Sequence, residues 1–287
     1  MNNKSIGVFD SGLGGLTVVK ELKRILPYEN ITYFGDTARI PYGSKSRDTI
    51  YKYTKDDIRF LLSKDVKAIV VACGTASSAI DDDIIKNTAI PLISVINPAS
   101  AKAFNVSKNK NIGIIATNAT IRSRSYVNEI KKISSKVNIY DKSCPLFVPL
   151  VENGYFHKNN EAARLIAKDY LSYFDDKNID TLILGCTHYP LLYDLISDIM
   201  GDKVALVDAG KETAALTKQI LEDKGILSTS KSIGKAGYYV SDTPLDFAKE
   251  AAVFLDEIID AVTKIEIGNK WLYGALYYKC ENTHKFK

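Results

Sequence analysis

The feature that most restricts this chain is an alternation that runs almost from end to end. Short apolar runs rich in β-branched residues are each followed by an amphipathic stretch long enough for a helix. The apolar runs are Ser5–Phe9, Ile31–Phe34, Ala68–Ala72, Leu92–Val95, Asn111–Ala116, Val137–Tyr140, Thr181–Leu184 and Ala205–Val207. Between them lie helix-like segments such as Leu16–Leu26, Thr49–Ser63, Ala76–Asn87, Ser123–Ile133, Glu161–Phe174 and Lys211–Lys224. Strands alternating with helices of this length build βαβ units on parallel sheets. Runs so poor in charge suit sheets covered on both faces. The pattern predicts an α/β fold with mostly parallel sheets flanked by helices.

A length of 287 residues corresponds to about two domains. No low-complexity linker divides them. The best boundary is Ile96–Lys110, where the pattern breaks around Pro98 and turns polar by Lys108. A weak internal echo supports two similar halves. AIVVACGTASSAI and TLILGCTHYPLL each read as strand, Cys, Thr and the start of a helix.

Composition removes several classes of function. With 46% hydrophobic and 25% charged residues, the chain can build an ordinary soluble core. The net charge of +4 is spread along the sequence, whereas a nucleic-acid binder concentrates its cations. The basic, aromatic stretch Lys270–Lys287 is too short to reverse that. No run approaches the roughly 18 apolar residues of a membrane span, and the N-terminus lacks the pattern of a signal peptide. Cys73, Cys144, Cys186 and Cys280 stand far apart, with no CxxC pair. That is neither a disulfide framework nor a zinc site, and it fits a reducing, cytoplasmic setting. The three histidines are too dispersed for a metal centre.

Two of these cysteines stand out. Cys73 and Cys186 each end an apolar strand and precede polar residues and a helix, at the strand end where open α/β sheets bind ligands. The positive end of the following helix favours a thiolate there. Thr75 suits the N-cap of the first helix and Pro190 the first turn of the second. One such cysteine is more often a small buried apolar residue; two in the same kind of position favour chemistry.

The glycine-rich turn DSGLGGLTV, residues 10–18, invites a dinucleotide reading, with Asp36 as the ribose contact. Thr17 stands where the third glycine of that fingerprint belongs, and Asp10 would face a pyrophosphate. Read without a nucleotide, it is a tight turn that directs Asp10 and Ser11 into a cleft. The Pro-Tyr-Gly turn in ARIPYGS lies on the same side. His188, two residues after Cys186, is either a surface histidine or a proton carrier. Glu152 and Asp208 are carboxylates that a cap or an ion pair would equally explain.

Taken together, FDSGLGGLTV, YFGDTARIPYGSKS, ACGTASS, GIIATNATIRS, CPLFVPLVENG and LGCTHYPLL resemble bacterial glutamate racemase, within the aspartate/glutamate racemase family. The motifs occur in the family's order from residue 7 to about residue 192, with the DAG of 208–210 beyond. LGCTHYPLL alone is close to diagnostic.

The resemblance implies two α/β domains, residues 1–97 with 208–287 and residues 98–207, with the active site in the cleft between them. It implies Cys73 and Cys186 as the catalytic pair, assisted by Asp10 and His188. Substrate contacts would come from Asp10, Ser11, Pro41, Tyr42, Gly43, Gly74, Thr75, Thr117, Thr120, Thr187 and His188, with Glu152 in support. No pyridoxal phosphate, metal or nucleotide is implied. The substrate would be glutamate, the product D-glutamate for peptidoglycan, and the assembly a homodimer. A regulator that needs an N-terminal extension is not expected to bind.

One position departs from the pattern. The family usually has asparagine after the first cysteine, as in CNTAS, and here it is Gly74. Loss of that amide is worth on the order of 1–3 kcal/mol if a buried charge is left under-satisfied. Gly74→Asn is then expected to lower the Michaelis constant; if the space is already filled, both kinetic constants should worsen. Two other classes remain in play: a racemase-derived binding protein, with Gly74 marking lost catalysis, and a cysteine hydrolase using Cys186 with His188. The CTH segment and the PYGS loop weigh against an aspartate racemase.

Overall fold

The computed structural model describes residues 3–267 and the strand 276–279. Its strands are β1 (Ile6–Asp10), β2 (Ile31–Gly35), β3 (Ala68–Val71), β4 (Leu92–Ser94), β5 (Asn111–Ala116), β6 (Asn138–Ser143), β7 (Thr181–Leu184), β8 (Ala205–Asp208), β9 (Ala236–Val240), β10 (Ala261–Lys264) and β11 (Leu276–Lys279). They form two sheets, ordered β11-β10-β9-β2-β1-β3-β4 and β6-β5-β7-β8. Among the described residues every pairing is parallel except that of β10 with β11.

The helices are α1 (Leu16–Ile25), α2 (Arg47–Ser63), α3 (Gly74–Ser77), α4 (Asp82–Lys86), α5 (Ile96–Val106), α6 (Asn118–Ser123), α7 (Ser125–Ile133), α8 (Phe147–Glu152), α9 (Glu161–Leu171), α10 (Tyr193–Met200), α11 (Ala209–Asp223) and α12 (Pro244–Leu255). Local chemistry sets their ends. In α1, Leu16, Val18, Val19 and Leu22 are buried, while Lys23 and Arg24 sit in the last turn, where cations complement the helix dipole. Ser46 caps α2 by accepting from the Thr49 N–H. Asp208 caps α11 by accepting from the N–H groups of Gly210 and Lys211, which settles its role as a cap.

Three expectations need correction. The segment 96–110 does carry the chain from the first sheet to the second, but as helix α5 rather than a break in the pattern. Pro98 lies in the first turn of α5, where its missing N–H costs no helical bond. Ala76–Asn87 is two short helices, because the Asp81 side chain takes the Ile84 N–H and starts α4 afresh. The third concerns Thr75, which lies inside α3; the N-cap is Cys73, whose sulfur accepts from the Ala76 N–H at 3.4 Å. Cys280 and most of the 270–287 stretch lie outside the described residues.

The end of the first sheet away from the strand C-termini is held by a buried ion pair. Lys67 Nζ lies 2.5 Å from Glu29, with both side chains almost wholly buried. Glu29 also accepts from the Ser228 N–H, and Lys67 donates to the Ile226 carbonyl. The chain leaving α11 is thereby latched to the start of β3. Removing one partner of such a pair strands a buried charge, at a cost of about 3–5 kcal/mol. Lys67→Met should lower the unfolding free energy by about that amount in a urea titration, and adding Glu29→Gln should restore part of it. A loss below about 1 kcal/mol for Lys67→Met would place the pair in solvent-like surroundings.

Candidate active site

Five turns at the C-terminal ends of strands converge on one cavity of about 420 Å³. Ser11 follows β1, Pro41, Tyr42 and Gly43 follow β2, and Cys73, Gly74 and Thr75 follow β3. From the second sheet come Thr117 after β5 and Cys186, Thr187 and His188 after β7, with Glu152 from the end of α8. Asp10 and Thr120, expected among them, are fully buried behind the wall and do not line the cavity. Asn118, Pro145, Val148 and Pro149 line it without having been foreseen. The last three fall inside CPLFVPLVENG, where only the carboxylate drew attention.

The two halves meet directly at the floor. Thr187 Oγ1 donates to Asp10 Oδ1 at 3.3 Å, and Thr17 Oγ1 donates to the Thr187 carbonyl at 3.0 Å. Gly14 is required here, because a Cβ would stand 2.2 Å from Thr187 Oγ1 and 2.5 Å from His188 Nδ1. This face of the glycine-rich turn is thus filled by the Thr187–His188 segment. Across the cleft, the hydroxyls of Thr75, Thr117 and Thr120 bond one another at 2.9–3.3 Å.

The cysteines have unlike surroundings. Burial and the neighbouring Asp10 carboxyl push the Cys73 thiol up from 9.0 to about 12, against its bonds with the Ala76 N–H and Ser11. The Ala76 amide at the start of α3 does favour a thiolate at Cys73, as expected of a helix end, but burial and Asp10 outweigh it. Cys73 Sγ lies 3.6 Å from Ser11 Oγ. Cys186 Sγ lies 3.9 Å from His188 Nδ1, and His188 Nε2 lies 3.0 Å from Glu152. Burial pulls His188 down, but its bonds to Cys186 and Glu152 prevail and raise it from 6.5 to about 10. His188 is 5% exposed, so the surface reading is set aside.

Tyr42 is held by a charge network that sequence reading missed. Its hydroxyl donates to Asp36 and Asp57, and Arg39 binds Asp36, Asp56 and Asp57 while lying 4.1 Å over the Tyr53 ring. Burial, with Asp36 next to it, pushes the Asp57 carboxyl well above its usual range. With its hydroxyl thus engaged, Tyr42 offers the cavity its ring and backbone. Asp36, weighed above as a ribose contact, is an anchor for this loop.

Comparison with known proteins places the fold in a family. The family model for Asp/Glu/hydantoin racemases matches residues 6–217. The chain belongs to this racemase family. Glutamate racemase of Geobacter metallireducens is 42% identical over 273 residues, spanning 95% of this chain and 94% of its own. Glutamate racemase of Francisella tularensis, solved with D-glutamate, matches with a TM-score of 0.87 at 41% identity, over 94% of this chain and 100% of its own. A glutamate racemase isoform of Bacillus anthracis gives 0.89 at 34% identity, over 93% and 99%.

Gly74 sits where a side chain would meet the backbone of the other half. A Cβ there would lie 2.7 Å from the Gly185 carbonyl oxygen, across the join between the two sheets. The neighbour is backbone, so it cannot turn aside as the end of a side chain would. Gly74→Ala and Gly74→Asn are both expected to lose about 1–3 kcal/mol in a denaturant titration, the range for overpacking. Asn as stable as wild type would show that the halves open freely at this point.

His188 generates a pH prediction. A group raised on folding gives stability that is complete below its unfolded value and lost as pH climbs through its folded value. Here that window runs from 6.5 to about 10. The urea midpoint should fall between about pH 7 and 9, and less steeply in His188→Asn. Equal slopes would remove the imidazolium. The comparison stops near pH 9 because the raised thiols of Cys73 and Cys144 add their own slope above it.

Proposed function

We propose that this protein is a glutamate racemase that interconverts L- and D-glutamate through two cysteines. The observation that carries the reading is that Cys73 and Cys186 line the same cavity from different sheets, each with a polar partner of its own. One sulfur removes the α-proton from one face of the substrate, and the other returns a proton to the opposite face. As the resemblance implies, Cys186 takes the proton from L-glutamate, with His188 beside it at 3.9 Å as its polar partner. Cys73, held as a thiol, supplies the proton that completes D-glutamate. The reverse reaction starts from a Cys73 thiolate, with its proton passed towards Asp10.

The carbanion formed between these steps gains stability from preorganised donors at the cavity wall. Thr75, Thr117 and the turn amides are suited to the substrate carboxylates. A cysteine hydrolase reading leaves the Cys73 thiol without a task in a cavity it lines. The product would serve peptidoglycan synthesis in the cytoplasm, with the enzyme a homodimer and no cofactor required.

The test is racemisation of L-glutamate in D2O, followed by the appearance of D-glutamate and of deuterium at the α-carbon. Wild type should do both, whereas Cys73→Ser and Cys186→Ser should each lose racemisation by at least a thousandfold, about 4 kcal/mol of barrier. Near-wild-type turnover in either variant would end the two-thiol mechanism. Absence of exchange in wild type would favour the binding-protein alternative. By the same geometry, Gly74→Asn should worsen both kinetic constants.

A further inference from the structure

Glutamate carries two carboxylates, and the cleft offers them little positive charge. No lysine or arginine is among its described lining residues. His188 is engaged through both ring nitrogens, one facing Cys186 and the other Glu152. Carboxylates taken out of water need hydrogen-bond donors in compensation. The protons that the cleft has not already spent therefore decide how it holds such a substrate.

On the threonine wall the hydroxyl protons are committed. Each hydroxyl brings one proton, and Thr75, Thr117 and Thr120 close a ring of mutual bonds at 2.9, 3.0 and 3.3 Å. A threonine that turns towards a carboxylate gives up its bond to a neighbour. Gly74, beside Thr120, has no side chain to add. Asn118 stands next to Thr117 at the start of α6 and lines the same cavity. It is partly buried, and its side-chain amide makes no hydrogen bond with a described residue. An asparagine amide carries two N–H donors. Both are unspent at the place where the threonines have none to spare.

We propose that Asn118 is a substrate-binding residue whose side-chain amide donates to a carboxylate of glutamate, supplying a contact that Gly74 lacks. The role rests on glutamate being the occupant of the cleft. Gly74 follows a strand of the first sheet and Asn118 a strand of the second, so the amide reaches the substrate from the opposite half. A carboxylate held in this way leaves the threonine ring closed, and the three hydroxyls back the substrate without being rearranged by it. Gly74→Asn then adds strain without adding a missing contact.

The experiment combines calorimetric titration with D-glutamate and steady-state kinetics in both directions, on the wild type, Asn118→Leu and Asn118→Asp. Asn118→Leu keeps the approximate shape and removes both donors. It should weaken binding and raise KM about tenfold for both enantiomers, the scale of one hydrogen bond to a charged group, with kcat changed by less than about threefold. Asn118→Asp sets a negative charge against the carboxylate and should weaken binding further. The urea midpoints should match that of the wild type. Wild-type binding and KM in Asn118→Leu would overturn the proposal. So would a loss of kcat and stability with KM unchanged, which is the mark of a purely structural residue. Wild type that binds D-glutamate without racemising it defeats the racemase reading alone, because calorimetry still reads Asn118. Repeating the titrations with D-glutamine separates the two carboxylates: a penalty that persists assigns the contact to the α-carboxylate, and one that disappears assigns it to the side-chain carboxylate.

Discussion

The architecture of the cleft depends on a place where two backbones meet with nothing between them. At Gly74 the turn after β3 faces the carbonyl of Gly185, in the turn after β7, at a separation that admits no Cβ. Close by, Gly14 lets the turn after β1 run under Thr187 and His188. Because these contacts are backbone or short side chain, the two sheets hold a fixed spacing. That spacing brings Cys73 and Cys186 to one cavity and links the Thr75–Thr117–Thr120 hydroxyls.

Buried charge then decides how the groups around that spacing behave. Asp36, Arg39 and Asp57 satisfy one another and take up the Tyr42 hydroxyl, so the loop after β2 is positioned by ion pairs beneath it. Asp10, buried below the cleft, is raised by that burial and in turn helps keep Cys73 protonated. On the other side, His188 between Cys186 and Glu152 keeps its proton in spite of burial. These are opposite electrostatic settings for two residues of one type.

Much of this was legible in the amino-acid sequence. The short apolar runs and the helical patterns between them located β1 to β8, most of which lie buried in the two sheets. Cys73 and Cys186 were legible through their position at strand ends. What escaped has physical reasons. Strand β9 carries a glycine and two tyrosines rather than an aliphatic run, and α5 has a proline in its first turn that reads as a break until that position is known. The Asp36–Arg39–Asp57 cluster joins residues from different elements, which no local pattern reveals. The protonation of Cys73 depends on burial and on Asp10, neither of which a strand-then-helix pattern measures. Gly74 itself was visible, but the carbonyl it faces, more than a hundred residues away in the chain, was not.

The unlike settings of Cys73 and Cys186 have a thermodynamic consequence for the proposed reaction. Mirror-image substrates in water have equal free energy, so the overall equilibrium constant is one. The ratio of kcat to KM must then be the same in both directions, however different the two sides of the cleft are. A lopsided site is still free to hold one enantiomer more tightly and turn it over more slowly, provided that both constants shift by the same factor. Such a protein is even-handed in dilute substrate and biased only near saturation, and the His188–Glu152 pair against Asp10 is where that bias would originate.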